Sequence, residues 1–343
     1  MQHIFSAYLA NSLIFGDDLG RNSIIFDTFV VMEGLVVKNT GSWYVVKDAG
    51  GRYLNCKIKG SFRLKGIRTT NPVAVGDNVV VTENADNTGF ITSINPRRNY
   101  IIRRASNLSK ESHILASNLD QAFLLVSFAP PVTATVFIDR FLATAEAYRV
   151  PVAIIINKVD VLDSEWLEYV EAFKYLYEGI GYKVCAISAT TGEGVDALRR
   201  QLSGKVTLFS GNSGVGKSTL INSLIPGLNL KTAAVSASHL TGMHTTTFSE
   251  MYAIPGDESG YIIDTPGVKG FGTIDFNVEE VAHYFPEIFE ASVGCRYNNC
   301  THTHEPGCAV KKALEEHTIS ESRYASYLSI IEDASPDKYR KPF

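Results

Sequence analysis

The stretch Gly211-Asn212-Ser213-Gly214-Val215-Gly216-Lys217-Ser218-Thr219 most constrains what this chain can fold into. It fits G-x-x-x-x-G-K-[ST], the spacing of a phosphate-binding loop. The glycines let consecutive backbone N–H groups turn inward and form an anion-sized nest. Residues 206–209 read as the strand entering the loop. Residues 218–224 read as the helix leaving it, with its N-terminal dipole facing the phosphates. In that setting Lys217 reaches the β- and γ-phosphates and the Ser218 hydroxyl ligates Mg²⁺.

With 343 residues the chain has room for two or three domains, and 45% hydrophobic with 20% charged residues is an ordinary globular composition. The net charge of −4 hides an asymmetry: residues 33–104 hold twelve Lys/Arg against five Asp/Glu. A basic module of this kind suits a polyanionic partner. Three of the five cysteines crowd into residues 295–308, and Cys56 and Cys185 stand alone. This is no secreted disulfide framework; a reducing, cytoplasmic setting is expected. No apolar run approaches the roughly 18 residues of a membrane span, and the N-terminus carries no secretory leader pattern. A monomer without membrane contact is expected.

Residues 1–31 mix short apolar pieces with Asp17-Asp18 and read as an extension without regular structure, or an upstream mis-start before Met32. From 32 to 98 the pattern is short strands (around 35–37, 43–46, 53–58, 78–82 and 90–94) separated by Gly41, Gly50-Gly51, Gly76-Asp77 and Asn87-Thr88-Gly89. Five strands in this span have the size of an OB-fold barrel. The loop 60–68, basic with Phe62, suits RNA backbone contact. Asn95-Pro96-Arg97-Arg98-Asn99 and Arg103-Arg104 read as a basic linker.

From 99 to 275 strands alternate with helices, which implies a mostly parallel α/β sheet with helices on both faces. The buried strand 152–156 ends in Asn157-Lys158-Val159-Asp160. This is N-K-x-D, the guanine-reading element of GTPases. Asp160 can accept from guanine N1–H and the exocyclic amine together, a donor pair that adenine lacks. Asn157 should brace the base pocket, and the Lys158 stem should cover the ring. Ser188-Ala189-Thr190 resembles the S-A-x element, whose Ala189 N–H would donate to guanine O6. Beyond the phosphate loop, Gly242-Met243-His244-Thr245-Thr246-Thr247 is the expected first switch, in which one of Thr245–Thr247, with Thr246 the first choice, should supply a hydroxyl to Mg²⁺ and sense the γ-phosphate. Asp264-Thr265-Pro266-Gly267 is D-x-x-G: Asp264 should hold Mg²⁺ through water, and the Gly267 N–H should touch the γ-phosphate.

Residues 276–343 turn helical and carry Cys295-x₄-Cys300-x-His302-x₅-Cys308. Three thiolates and one imidazole make a closed tetrahedral Zn²⁺ set, structural rather than catalytic. His304, two residues on, is a rival ligand.

The order of the guanine elements is unusual, because N-K-x-D and S-A-x precede the phosphate loop. The same sheet can still form, since these loops lie along one edge of it. The permuted order, the basic barrel in front and the cysteine cluster behind resemble the RsgA (YjeQ-type) small ribosomal subunit biogenesis GTPases over about residues 33–335. The resemblance implies a circularly permuted GTPase domain between an OB-fold barrel and a small helical zinc domain. It selects His302 as the fourth ligand. It also suggests His244 as the group that positions water, since Val268 replaces the glutamine that Ras-type enzymes use. Met243 departs from the arginine common in the family. The implied activity is GTP hydrolysis to GDP, slow alone and stimulated by the small (30S) subunit. The protein would bind that subunit and its rRNA late in maturation and leave on hydrolysis, with other assembly factors as further partners. The competing readings are a GTPase acting on another RNA and a non-catalytic, GTP-bound RNA-binding scaffold.

Overall fold

The computed structural model describes residues 30–59, 72–104, 112–232, 249–256, 260–265 and 276–334. Five strands come first: β1 (Val30–Asn39), β2 (Tyr44–Asp48), β3 (Tyr53–Ile58), β4 (Asn78–Glu83) and β5 (Thr88–Ile94). β1 pairs with β2 and β4, β3 with β2 and β5, and β4 with β5, so the ring of strands closes. Alternation does the sorting: β3 buries Leu54 and Cys56 and exposes Tyr53, Asn55 and Lys57. The inward residues, with Val36, Tyr44, Val46, Val79, Val81 and Ile91, fill the barrel. β1 starts at Val30, inside the stretch expected to be an extension, with Val30 and Val31 opposite Glu83 and Thr82. Gly89, expected in a turn, lies in β5; a Cβ there would sit 2.6 Å from Val81 Cγ1, so the crowded interior demands glycine.

The stretch read as a basic linker is ordered and partly buried. Arg97 donates to Asp77 from Nε and Nη2, each at 2.6 Å. Asp77, fully buried, also accepts from Ser117 Oγ at 2.6 Å and from the Ala74 N–H at 2.8 Å. The chain then forms a hairpin of β6 (Tyr100–Arg104) and β7 (Ser112–Ser117). Through Arg97, Asp77 and Ser117, charge in this stretch fastens the barrel to the hairpin.

The α/β unit runs β8 (Gln121–Val126), α1 (Thr135–Ala147), β9 (Val152–Ile156), α2 (Ser164–Ile180), β10 (Lys183–Ala186), α3 (Val195–Leu202), β11 (Val206–Gly211), α4 (Lys217–Leu224), β12 (Glu250–Ala253) and β13 (Tyr261–Asp264). The spatial order is β10-β9-β8-β11-β13-β12, parallel except for β12. β8 is buried almost along its whole length, as a strand covered on both faces must be. Phe141 and Leu142 of α1 and Val170 and Phe173 of α2 pack on one face. Leu198 of α3 and Leu220 and Leu224 of α4 pack on the other. The barrel meets this sheet at its edge: Lys38 pairs with Glu250 in register and by a 2.9 Å ion pair. Val37 joins the first of these cores beside Met251.

The C-terminal part holds a 3₁₀ turn (Val278–Tyr284), α5 (Pro286–Ser292), α6 (Ala309–Glu315) and α7 (Glu321–Ala334). Periodicity predicts an ordinary helix at 278–285. Pro286 follows Phe285 and disfavours α geometry there, and the segment tightens instead. These elements share a core of Val281, Phe285, Ile288, Val310, Tyr327 and Ile330, with Ala143 of α1 contributing. The architecture is the expected multi-domain α/β one: a β-barrel, a permuted P-loop domain and a small helical module.

Candidate functional site

The motif residues leave the C-terminal ends of parallel neighbours. Asn157 follows β9, Ser188 follows β10, Gly211 ends β11 and Asp264 ends β13. Open α/β sheets bind ligands along this edge. The phosphate loop bends through Gly214 and Gly216, at φ +88° and +92°, and Gly216 caps α4. A Cβ on Gly216 would lie 2.3 Å from Asn157 Nδ2 and 4.0 Å from Lys158 Cε. The N-K-x-D turn therefore sits directly against the phosphate loop, although the two are far apart in sequence.

Asn157, only 2% exposed, joins three elements. Its Nδ2 donates to the Val215 carbonyl at 2.9 Å, and its Oδ1 accepts from the Ala189 N–H at 2.9 Å. The Ala189 N–H, expected to donate to a guanine O6, is thus engaged by Asn157 and would have to share or exchange that bond. Lys158 stands in the left-handed region at φ +69°, and its Nζ donates to the Pro130 carbonyl at 3.0 Å. Burial lowers its ammonium pKa, and Asp160 opposes this. Asp160 is exposed on a single 3₁₀ turn (Val159–Val161), open to a ligand. Ser188 is buried, and its Oγ accepts from the Thr191 N–H at 3.1 Å.

On the phosphate side, Lys217 is buried and ion-paired with Asp264. Its ammonium also donates to the Thr265 carbonyl. The Thr265 hydroxyl donates to the Phe209 carbonyl at 3.0 Å, which locks the end of β13 to β11. Ser218 sits beside Lys217 at the start of α4 and is buried, whereas Ser213 and Thr219 are only partly covered. Asn212 Oδ1 is buried without a hydrogen-bond partner, an orphan of the kind a ligand or its water satisfies. The donor set, a lysine, a hydroxyl and a carboxylate around glycine-rich backbone, fits a Mg²⁺-bound nucleotide phosphate. His244, Thr246 and Gly267 lie outside the described residues.

A second cluster lies in the C-terminal module. Cys295, Cys300, His302 and Cys308 bring their ligand atoms within 4.8 Å of one another and could hold a metal ion. Cys295 Sγ is 3.9 Å from Cys308 Sγ, and each lies 3.5 Å from His302 Nδ1. A tetrahedron with metal–sulfur bonds of about 2.3 Å has edges of roughly 3.8 Å, so the spacing fits. Burial, with Cys308 and Cys295 adjacent, pushes the Cys300 thiol up to about 12, a condition that a coordinated cation reverses. Burial lowers the His302 pKa and favours the neutral imidazole that a metal needs. Tyr324 and Tyr327 of α7 donate to the His302 and Thr301 carbonyls at 2.6 and 2.7 Å and fix the loop. His304 is exposed and bonds Thr303 instead.

Motif reading alone misses the buried cluster that joins this module to the GTP-binding unit. Arg323 of α7 bonds Asp139 of α1 at 2.7 Å and Glu287 at 2.6 and 3.0 Å. Its guanidinium lies 4.6 Å over the Phe285 ring, and the Tyr177 hydroxyl donates to Asp139 at 2.7 Å. Burial raises the Asp139 carboxyl against the opposing pull of Arg323. The available signal was an aspartate within the apolar face of α1.

Comparison with known proteins agrees with this layout. The family model described as RsgA GTPase matches residues 94–274, and the RsgA N-terminal domain matches residues 33–91. The chain is 65% identical to the small ribosomal subunit biogenesis GTPase RsgA of Bacteroides fragilis over 312 residues, 91% of this chain and 100% of that one. It is 58% identical to the protein of the same name from Porphyromonas gingivalis, again covering 91% of this chain and 100% of the other. Among solved structures, YjeQ from Thermotoga maritima superposes with a TM-score of 0.68 at 32% identity, covering 89% of this chain and 99% of that one. YloQ, described as a circularly permuted GTPase, gives 0.65 at 27% identity, covering 94% and 100%. This chain therefore belongs to the RsgA GTPase family.

Proposed function

We propose that this GTPase serves biogenesis of the small ribosomal subunit, binding the subunit and its rRNA late in maturation and leaving when GTP is hydrolysed. The observation that carries the reading is the convergence at Asn157 of the N-K-x-D, S-A-x and phosphate-loop elements, in a chain 65% identical to a small ribosomal subunit biogenesis GTPase. Asp160 reads guanine, Asn157 and Lys158 shape the base pocket, and Ser188 and Ala189 close it. Backbone from Gly211 to Thr219 wraps the phosphates, with Lys217 leaving Asp264 to meet them. Ser218, Thr246 and Asp264 hold Mg²⁺, Gly267 senses the γ-phosphate, and His244 positions the attacking water. Bound Mg²⁺ would neutralise developing phosphate charge. Cys295, Cys300, His302 and Cys308 hold one structural Zn²⁺, which replaces apolar core in a small module. The barrel, which begins with β1 at Val30 and runs to about 98, is the RNA-facing domain, 99–275 the GTPase domain and 276–343 the zinc domain of a cytoplasmic monomer.

The test is GTP turnover with and without purified small subunits, for the wild type, Lys217→Ala and His244→Ala. Stimulation by subunits that His244→Ala abolishes, with nucleotide binding kept, is the expected outcome. Stimulation by another RNA but not by subunits, or by neither, would overturn the ribosomal reading.

A further inference from the structure

Across the barrel wall, neighbouring strands line up one outward residue each. The β2–β3 register sets Tyr44 opposite Cys56, so Trp43, just before β2, comes beside Lys57. The Lys57 ammonium lies 4.3 Å from the centre of the Trp43 ring. The β3–β5 register sets Lys57 opposite Phe90. Cys56 and Ile91 point into the core, so alternation turns Lys57 and Phe90 outward. At roughly 4.8 Å between strands, the row spans about 10 Å. Trp43 and Phe90 are each 38% exposed.

Single exposed aromatics are ordinary. The charge around these two is not. The outward positions of β3 and β5 hold Tyr53, Asn55, Lys57, Thr88, Phe90, Thr92 and Ser93, with Lys59 just after β3, and none is a carboxylate. Lys38 and Arg52 elsewhere on the barrel are ion-paired with Glu250, Asp48 and Glu83. Lys57 has no carboxylate partner among the described residues, and its cation is held only by the Trp43 ring. Aromatic faces bracketing an uncompensated cation match a nucleic acid whose bases are free to stack and whose phosphates are close by. A duplex keeps its bases stacked on each other and offers such rings nothing.

We propose that Trp43, Lys57 and Phe90 form a platform for an unpaired stretch of RNA, with bases stacked on the two rings and Lys57 on the backbone phosphate. This rests on the small-subunit reading and specifies which barrel face meets RNA, and in what conformation.

The test uses the full chain and a short fluorescein-labelled single-stranded RNA, with the same sequence as a duplex for comparison. Trp43→Ala, Lys57→Ala and Phe90→Ala should each weaken single-strand binding about tenfold. Phe90→Trp should retain binding, and GTP affinity should stay at the wild-type level in all four, showing intact folding. The chain has two tryptophans, so in a Trp166→Phe background Trp43 is the only tryptophan, and RNA should quench its selectively excited emission. Unchanged single-strand binding in the alanine variants, equal affinity for the duplex, or an unresponsive Trp43 would each overturn the platform. So would variants that lose subunit association but keep RNA binding, since the row would then face a protein. A wild type that ignores subunits, yet binds the single strand through this row, overturns the ribosomal reading and supports the platform.

Discussion

The Asn157 side chain donates to the Val215 carbonyl at 2.9 Å, across 58 residues of sequence. That bond makes one pocket from elements that the chain delivers in permuted order. The same amide accepts from Ala189, so the base side and the phosphate side share a single buried hinge point.

Replacing Asn157 with alanine leaves the Val215 carbonyl and the Ala189 N–H without their partner. Each buried group left unpaired costs about 1–3 kcal/mol. Guanine-nucleotide affinity should fall by about tenfold to a hundredfold, read by titration with a fluorescent GDP analogue. Unchanged affinity would show that the two loops hold their places without it.

Asp160→Asn tests base reading. A carboxylate accepts from the N1–H and amine of guanine, whereas an amide can donate to the carbonyl that xanthine carries in place of the amine. GTP affinity should drop by about a hundredfold or more, and xanthosine triphosphate should bind in its place. A variant that still prefers GTP would remove Asp160 from the pocket.

Lys217→Ala should have two effects. Phosphate binding is lost, and Asp264, fully buried, is left without its cation. Removing one partner of a buried pair costs about 3–5 kcal/mol, so the nucleotide-free melting temperature should fall too. Lys217→Ala with Asp264→Asn should recover most of the stability but none of the nucleotide binding.

Local spacing made the phosphate loop, N-K-x-D and the Cys/His set legible in the sequence, because each needs its residues within a few positions of one another. The long-range pairings were illegible for the opposite reason. Asp139 and Arg323 are separated by 184 residues, and no local pattern says that a charge on the apolar face of α1 will be met by α7. The basic stretch 95–99 reads, with Arg103-Arg104, as a linker because composition cannot reveal that Arg97 will find Asp77. Gly89 reads as a turn because only the packed barrel shows Val81 occupying the space of its Cβ. The switch residues His244, Thr246 and Gly267 fall outside the described residues.

Arg323→Ala should destabilise the protein by about 3–5 kcal/mol, since it strands Asp139 and Glu287. Arg323→Met with Asp139→Leu should restore part of this loss in chemical denaturation. A small loss in the single variant would show that the helical module is held by its apolar core alone.

Chelation should release one zinc ion per chain, counted by a colorimetric indicator, and melt the helices around Cys295–Cys308 while the barrel and sheet stay folded. Cys308→Ser should mimic it. Retained helicity after metal removal would demote the ion to an accessory.

Among the described residues the barrel strands pair in a closed ring, β1, β2, β3, β5 and β4, with β3 flanked by β2 and β5, so the wall at Lys57 offers side chains rather than a strand edge. Whatever lands on that wall can be gripped only by side chains. Its selectivity is therefore open to change one residue at a time, without disturbing the scaffold beneath.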